Sequence, residues 1–253
     1  MITQVGLVLT VGGTIAVLMW LVAFGLHMRY MLRPEEMPTH HAAADVLTRI
    51  GLLLGAASWG SYAMLAWSQL PWRAALLPPV ALVALVVQTN LARRSSMPLV
   101  ASCLYGYAVA AYSVSLAALW IGNAAETLAA PSALLLVAVR EIAGVTATGA
   151  LLAYGALSLV KGRNIPLAQH LGDGMMRVAL VAVILALSAA AWRAWSAWGE
   201  VVRVDVAALF IAWSFLMAAS LRQMMTGITL ARIGYGLALL SLAALLVTLV
   251  LIP

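Results

Sequence analysis

Trp192-Arg193-Ala194-Trp195-Ser196-Ala197-Trp198-Gly199-Glu200-Val201-Val202-Arg203-Val204-Asp205 is the richest polar and aromatic stretch in the chain, and a long apolar run stands on each side of it. Three of the nine tryptophans fall within its first seven residues. An aromatic, charged segment between two such runs is what a loop at a membrane surface looks like.

The rest of the chain repeats that pattern. Of its 253 residues, 65% are hydrophobic and 9% charged, against about 25% charged in an ordinary soluble domain. A helical span needs ~20 mostly apolar residues. Eight segments qualify or nearly so: Val5–Leu26, Val46–Trp67, Ala74–Leu91, Pro98–Ile121, Pro131–Val160, Met175–Ala191, Val204–Leu221 and Thr226–Ile252. They lack the alternation of a closed barrel, so they must satisfy their own backbone as helices. The expected fold is all-α: a polytopic membrane bundle of about eight transmembrane helices, a single integral membrane domain over 1–253. Pro78-Pro79 should bend or shorten the outer end of the third helix. No cleavable signal is expected, because the first apolar run is too long and lacks a basic start.

The net charge of +6 does not point to nucleic acid. The basic residues stand singly or in pairs between apolar runs, where a nucleic-acid protein would gather them into a patch. Their distribution sets orientation instead. Ten lie in alternate loops: Arg29, Arg33, Arg49, Arg93, Arg94, Lys161, Arg163, Arg177, Arg222 and Arg232. Three lie in the others: Arg73, Arg193 and Arg203. The bias puts both termini and the Trp192–Asp205 loop outside a bacterial-type inner membrane. On that topology Trp67, Trp72, Trp120, Trp192, Trp195 and Trp198 fall at outer ends, Trp20, Trp59 and Trp213 within spans. An aromatic belt populates both interfaces; the one-sided pattern reads either as an apolar shelf on the outer face or as a lopsided belt. Trp192, Trp195 and Trp198 are three apart and share a face on a continuing helical turn. Gly199 lets the chain turn away, and Asp205 is placed to cap the seventh helix.

Arg140-Glu141 lies about ten residues into the fifth segment. An ionisable group at depth costs ~2.5–3.5 kcal/mol on insertion scales and normally faces protein or a water-filled cavity. Neighbours on a helix point ~100° apart, so separate partners are expected, with Tyr112, Ser115 and Thr146 as candidates. A proton or substrate site, a structural interhelical ion pair, and a surface position on an interfacial turn all remain open. Gly144, Gly149 and Gly155, with Thr146, Thr148 and Ser158, give the same helix a small-residue face for close packing. The histidines His27, His40, His41 and His170 cluster toward the inner side and read as solvated loop residues, and no pair has the i, i+4 spacing of a preformed metal site. Cys103 is the only cysteine, which leaves no disulfide framework or haem-attachment motif.

From Leu171 onward the chain resembles the WWD-domain family of cytochrome c assembly proteins, haem-handling membrane proteins whose outward loop reads approximately W-G-s-Y-W-s-W-D. Trp198-Gly199 and Asp205 match its first two places and its eighth, and the following apolar helix carries Trp213. Gly172-Asp173-Gly174-Met175-Met176-Arg177 and the run after it also look similar. Both inner tryptophans are replaced, by Val202 and Val204, and the usual Pro-Lys-Glu after the Asp is absent. The family's histidine positions align with Leu221, near Gly55 and near Leu104-Tyr105, with the last beyond Pro253. The resemblance implies haem or cofactor handling at the outer face, with Trp192, Trp195, Trp198, Gly199, Asp205 and Trp213 as the cofactor-binding set and no catalysis by the chain alone.

A second resemblance carries a different implication. Thr148-Gly149-Ala150-Leu151-Leu152-Ala153-Tyr154-Gly155-Ala156-Leu157-Ser158-Leu159 looks like the fifth helix of DMSO-reductase-type quinol-oxidising membrane anchors, which also have eight helices with both termini outside. Their outer His-Leu-Gly-x-Pro stretch falls near Trp67–Arg73, where the His is missing. It implies an anchor or accessory subunit that meets quinone and other membrane or periplasmic redox subunits. A transporter or a purely structural subunit is the third class; no inverted repeat or paired broken helices favour transport.

Overall fold

Alanine and glycine crowd the buried positions, with leucine and tyrosine filling between them, and leucine, valine and isoleucine dominate the exposed ones. Leu53, Met64 and Val204 are 70%, 89% and 73% exposed, while Ala108, Ala111, Ala147 and Ala150 are fully buried. That is the inverse of a water-soluble domain and fits helices that approach closely through small residues and turn their bulk to lipid. The computed structural model describes residues 4–32, 38–66, 72–94, 97–121, 131–159, 165–199, 203–226 and 232–251.

Those residues form eight helices: α1 (Gln4–Leu32), α2 (Pro38–Ala66), α3 (Trp72–Arg94), α4 (Pro98–Ile121), α5 (Pro131–Leu159), α6 (Ile165–Trp198), α7 (Val204–Thr226) and α8 (Arg232–Leu251). Six are long and apolar enough to cross a membrane. In α3 and α8 the apolar stretches are shorter, Ala75–Asn90 and Gly236–Leu246. Pro78 and Pro79 do not end α3 but lie inside it. The sixth helix is much longer than the apolar run predicts. Its 34 residues span about 50 Å at 1.5 Å per residue, so the Trp192–Trp198 stretch is its last two turns rather than a loop.

Sequential helices pair as α1–α2, α3–α4, α5–α6 and α7–α8, with α4–α5 and α6–α7 joining the pairs. The α4 and α5 spans are the most buried and form the centre. They cross where Gly106 meets Gly149: a Cβ on either would strike the other helix's backbone. Elsewhere one aromatic plugs a glycine groove. Trp20 of α1 lies over Gly51 and Gly55 of α2, where a Cβ would come within 2.6 and 3.1 Å of its ring, and it meets Tyr112 edge-on at 5.2 Å.

Side-chain polar groups are largely satisfied within their own helices. Thr10, Ser58, Ser102 and Thr148 return hydroxyl protons to carbonyls three or four residues earlier. The few cross-helix bonds therefore stand out. Tyr112 donates to the Gly55 carbonyl at 2.8 Å, Tyr105 and Thr48 share a hydrogen bond of 2.6 Å, and Ser241 donates to the Ala212 carbonyl at 2.9 Å. The first two tie α4 to α2, the third α8 to α7.

Candidate functional sites

Among the described residues, the buried arginine, glutamate and aspartate form one cluster at the end of the bundle where α5 begins and α7 starts. Arg140 and Glu141 are 0% exposed and Asp205 is 5% exposed. Arg140 donates from Nη2 to Glu141 Oε1 at 2.7 Å and from Nη1 to Asp205 Oδ2 at 3.3 Å. Arg203, whose side chain is 38% exposed, brings Nε to 3.7 Å from Asp205 Oδ1. Two cations thus meet two carboxylates, and two of the chain's eight acidic residues are used here.

This corrects two expectations. Arg140 and Glu141 do pair directly: the guanidinium is long enough to curl back across the ~100° between neighbours. Asp205 does not act as a cap. It lies in the first turn of α7, where a carboxylate suits the helix dipole, but its side chain turns inward to α5. The suggested partners are engaged elsewhere: Tyr112 at Gly55, Ser115 at the Tyr112 carbonyl and Thr146 at the Ile142 carbonyl. Of the three open readings, the interhelical ion pair is the arrangement found.

The tryptophan stretch comes out partly as its spacing predicts. The helix continues through Trp198, and Trp192 and Trp195 are 69% and 64% exposed on its final turns. Gly199 has φ +69° and donates its N–H to the Trp195 carbonyl at 2.9 Å, which is the left-handed helix ending glycine favours. The Trp198 side chain lies outside the described residues, as do Trp67 and the side chains of Trp72 and Trp120. Trp213 is half-buried two turns into α7 beside Phe210, centroids 5.4 Å apart. The six residues suggested for a cofactor are therefore not gathered: two tryptophans face outward, Asp205 inward, and Trp213 sits further along α7.

A second polar site lies at the opposite end, where α1 ends and α2 begins, and here sequence reasoning missed. His27 is not the end of its helix, which runs on to Leu32, and it is not solvated but 7% exposed. His41 stands with ring centroid 6.5 Å from that of His27 and stacks on Tyr30 at 4.7 Å. Together with Asp45, Thr48, Gln88 and Tyr105 these histidines line a cavity of about 60 Å³. His40 lies outside what can be described at side-chain level. Helix periodicity could have found the pair. With α1 continuous past Leu26, His27 falls one turn beyond Ala23, on the buried face.

Back to back with that cavity lies a larger apolar groove of about 540 Å³ among α1, α4, α5 and α8. Leu21, Phe24, Gly25, Leu152 and Gly155 line it, and Arg29 stands at its end in the last turn of α1. The stacked rings of Phe24 and Tyr105, 5.1 Å apart, separate groove from cavity. Gly155 was expected to pack closely; it faces open groove instead, with nothing within 4 Å of a built Cβ, and Gly25 is the same. Gly144, by contrast, does pack, against Leu249.

Compared with known proteins, the chain matches no family model, no curated protein and no solved structure.

Proposed function

We propose that this protein is a membrane-anchor or accessory subunit of a respiratory redox complex, and that the groove among α1, α4, α5 and α8 receives a lipid-soluble quinone. The observation that carries the reading is the groove itself: an apolar trough of about 540 Å³ with Arg29 among its lining residues. An isoprenoid tail fits such walls through apolar burial, and Arg29 supplies N–H donors for a ring carbonyl. The two glycines in the wall leave the space a ring needs. In this reading both termini lie outside an inner membrane, and Arg29 stands near its inner surface.

The haem-handling reading has less support from the residues present. Asp205, the part of the WWD-type signature that survives with Trp198-Gly199, is committed to Arg140. At the positions aligned with the family's histidines, Gly55 lies under Trp20, Tyr105 is bonded to Thr48, and Leu221 is 53% exposed. None is a family-type axial ligand. The exposed Trp192 and Trp195 instead support a contact with a peripheral redox subunit, since large aromatics at an exposed end are typical interface anchors.

The test is quinone retention. The protein is purified from membranes with its lipid, extracted, and its benzoquinone and naphthoquinone content measured. Stoichiometric quinone in the parent, lost in the Gly25→Leu, Gly155→Leu variant with helix content unchanged, is the expected result. Equal quinone in both, or phospholipid alone in the parent, would overturn the proposal.

A further inference from the structure

We propose that the cavity between His27, His41 and Gln88 is a hydrated proton-binding site, in which the two imidazoles share one excess proton through bound water. The cavity's volume of about 60 Å³ holds about two waters at ~30 Å³ each and no metabolite. Its walls ask for those waters. His27 Nε2, His41 Nδ1 and Gln88 Oε1 are buried and have no hydrogen-bond partner among the described residues. His27 and Gln88 are 7% and 3% exposed. An unmet buried polar atom is costly, and three of them on residues that line one cavity mark a place for water.

The lining also decides the sign of the guest. Gln88 Oε1 and the Asp45 carboxylate only accept hydrogen bonds. Thr48 donates to the Ala44 carbonyl and accepts from the Tyr105 hydroxyl. Arg49, one turn beyond Asp45 on α2, is held by it at 2.8 Å with its own side chain 54% exposed. The charged and titratable groups facing the pair are Tyr30 from α1, Asp45 and Arg49 from α2, and Tyr105 from α4; α3 contributes the neutral Gln88 and Thr89. With a carboxylate and buried acceptor atoms among them, that set favours a proton over an anion. A single metal ion fits poorly, because two imidazoles ligating at ~2.0–2.1 Å in a bent geometry need centroids closer than the 6.5 Å found. One or two waters fit the gap.

The proton enters from the aqueous phase past Asp45 and Arg49. It bonds to one imidazole nitrogen, and the imidazolium donates to cavity water and to acceptors such as Gln88 Oε1; no other bond forms or breaks. Phe24 and Tyr105 close the far wall, so the site is a blind well beside the groove. It stands whether or not a quinone enters that groove.

Two measurements on the full chain in nanodiscs test it. In the parent, ¹⁵N-histidine NMR should show water-to-imidazole magnetisation transfer at His27. It should also show His27 and His41 taking up a first proton together, as coupled sites do. His27→Gln and His41→Gln supply the assignments. A His27 ring silent to water, or two independent protonations, would overturn the site. Separately, Gln88→Leu, which removes one of the acceptors lining the cavity, should weaken the water-to-imidazole transfer at His27. Unchanged transfer in folded, monodisperse Gln88→Leu protein would sink it.

Discussion

Arg140 in α5 holds Asp205 in the first turn of α7 at 3.3 Å, 65 residues away in sequence, while bonding its own neighbour Glu141 at 2.7 Å. One guanidinium therefore fixes where α7 enters the bundle. The geometry explains why a charge so expensive at depth is kept: its two carboxylates are brought in with it, and Arg203 balances the second.

Removing the guanidinium leaves two carboxylates facing each other without their shared cation. Breaking a buried pair in this way costs about 3–5 kcal/mol. Arg140→Met is expected to lower thermal stability in detergent sharply. The triple change Arg140→Met, Glu141→Gln, Asp205→Asn should recover most of it, since no fully buried charge is left and Arg203, which loses Asp205, is 38% exposed. A triple variant as unstable as the single one would show that the cluster does more than neutralise itself.

The Gly106–Gly149 crossing makes a contrasting pair of expectations. Gly149→Ala drives a Cβ into the backbone at Tyr107, where no side chain can yield; overpacking of this kind costs about 1–3 kcal/mol or more. Gly155→Ala, two turns along the same helix, meets nothing within 4 Å and should be neutral or slightly stabilising, because alanine is the better helix former. Thermal unfolding of the two variants side by side checks this, and similar losses at both positions would contradict the packing described.

These cases show what a linear reading can reach. Apolar runs of span length are enough to place eight helices, because that signal is local. The charge cluster was half legible: burial of Arg140 followed from the cost of a charge in lipid, but Asp205 as partner depends on how α5 and α7 dock. The histidine pair was missed for a related reason. The apolar run stops at Leu26 while the helix runs to Leu32, so His27 was placed at a helix end and not inside the bundle. Gly149 and Gly155 read alike in sequence; only the neighbouring helix separates a crossing point from a groove.

Orientation is open to direct labelling. With ten of thirteen loop cations on one side, residue 163 should be inaccessible and residue 197 accessible to an impermeant thiol reagent in intact cells, each as a single cysteine in a Cys103→Ser background. Labelling of residue 163 from outside would reverse the bundle. The groove's Arg29 would then lie at the outer surface.

The tryptophan face separates two uses of the same ring. Trp192 and Trp195 project from the last turns of a helix that is longer than a ~30 Å hydrocarbon core requires, and both are more than half exposed. If they only anchor the helix in the headgroup region, tyrosine or phenylalanine should serve as well, since either keeps an apolar body at the interface. If they dock a partner subunit, each lost ring contact should cost about 1 kcal/mol or more. The Trp192→Ala, Trp195→Ala variant should then insert normally, keep the Arg140–Asp205 cluster and its thermal stability, and lose subunits that co-purify with the parent. Native purification followed by mass spectrometry reads this out directly. An unchanged set of co-purifying subunits in that variant would leave the two rings as membrane anchors and remove the docking face from the proposal.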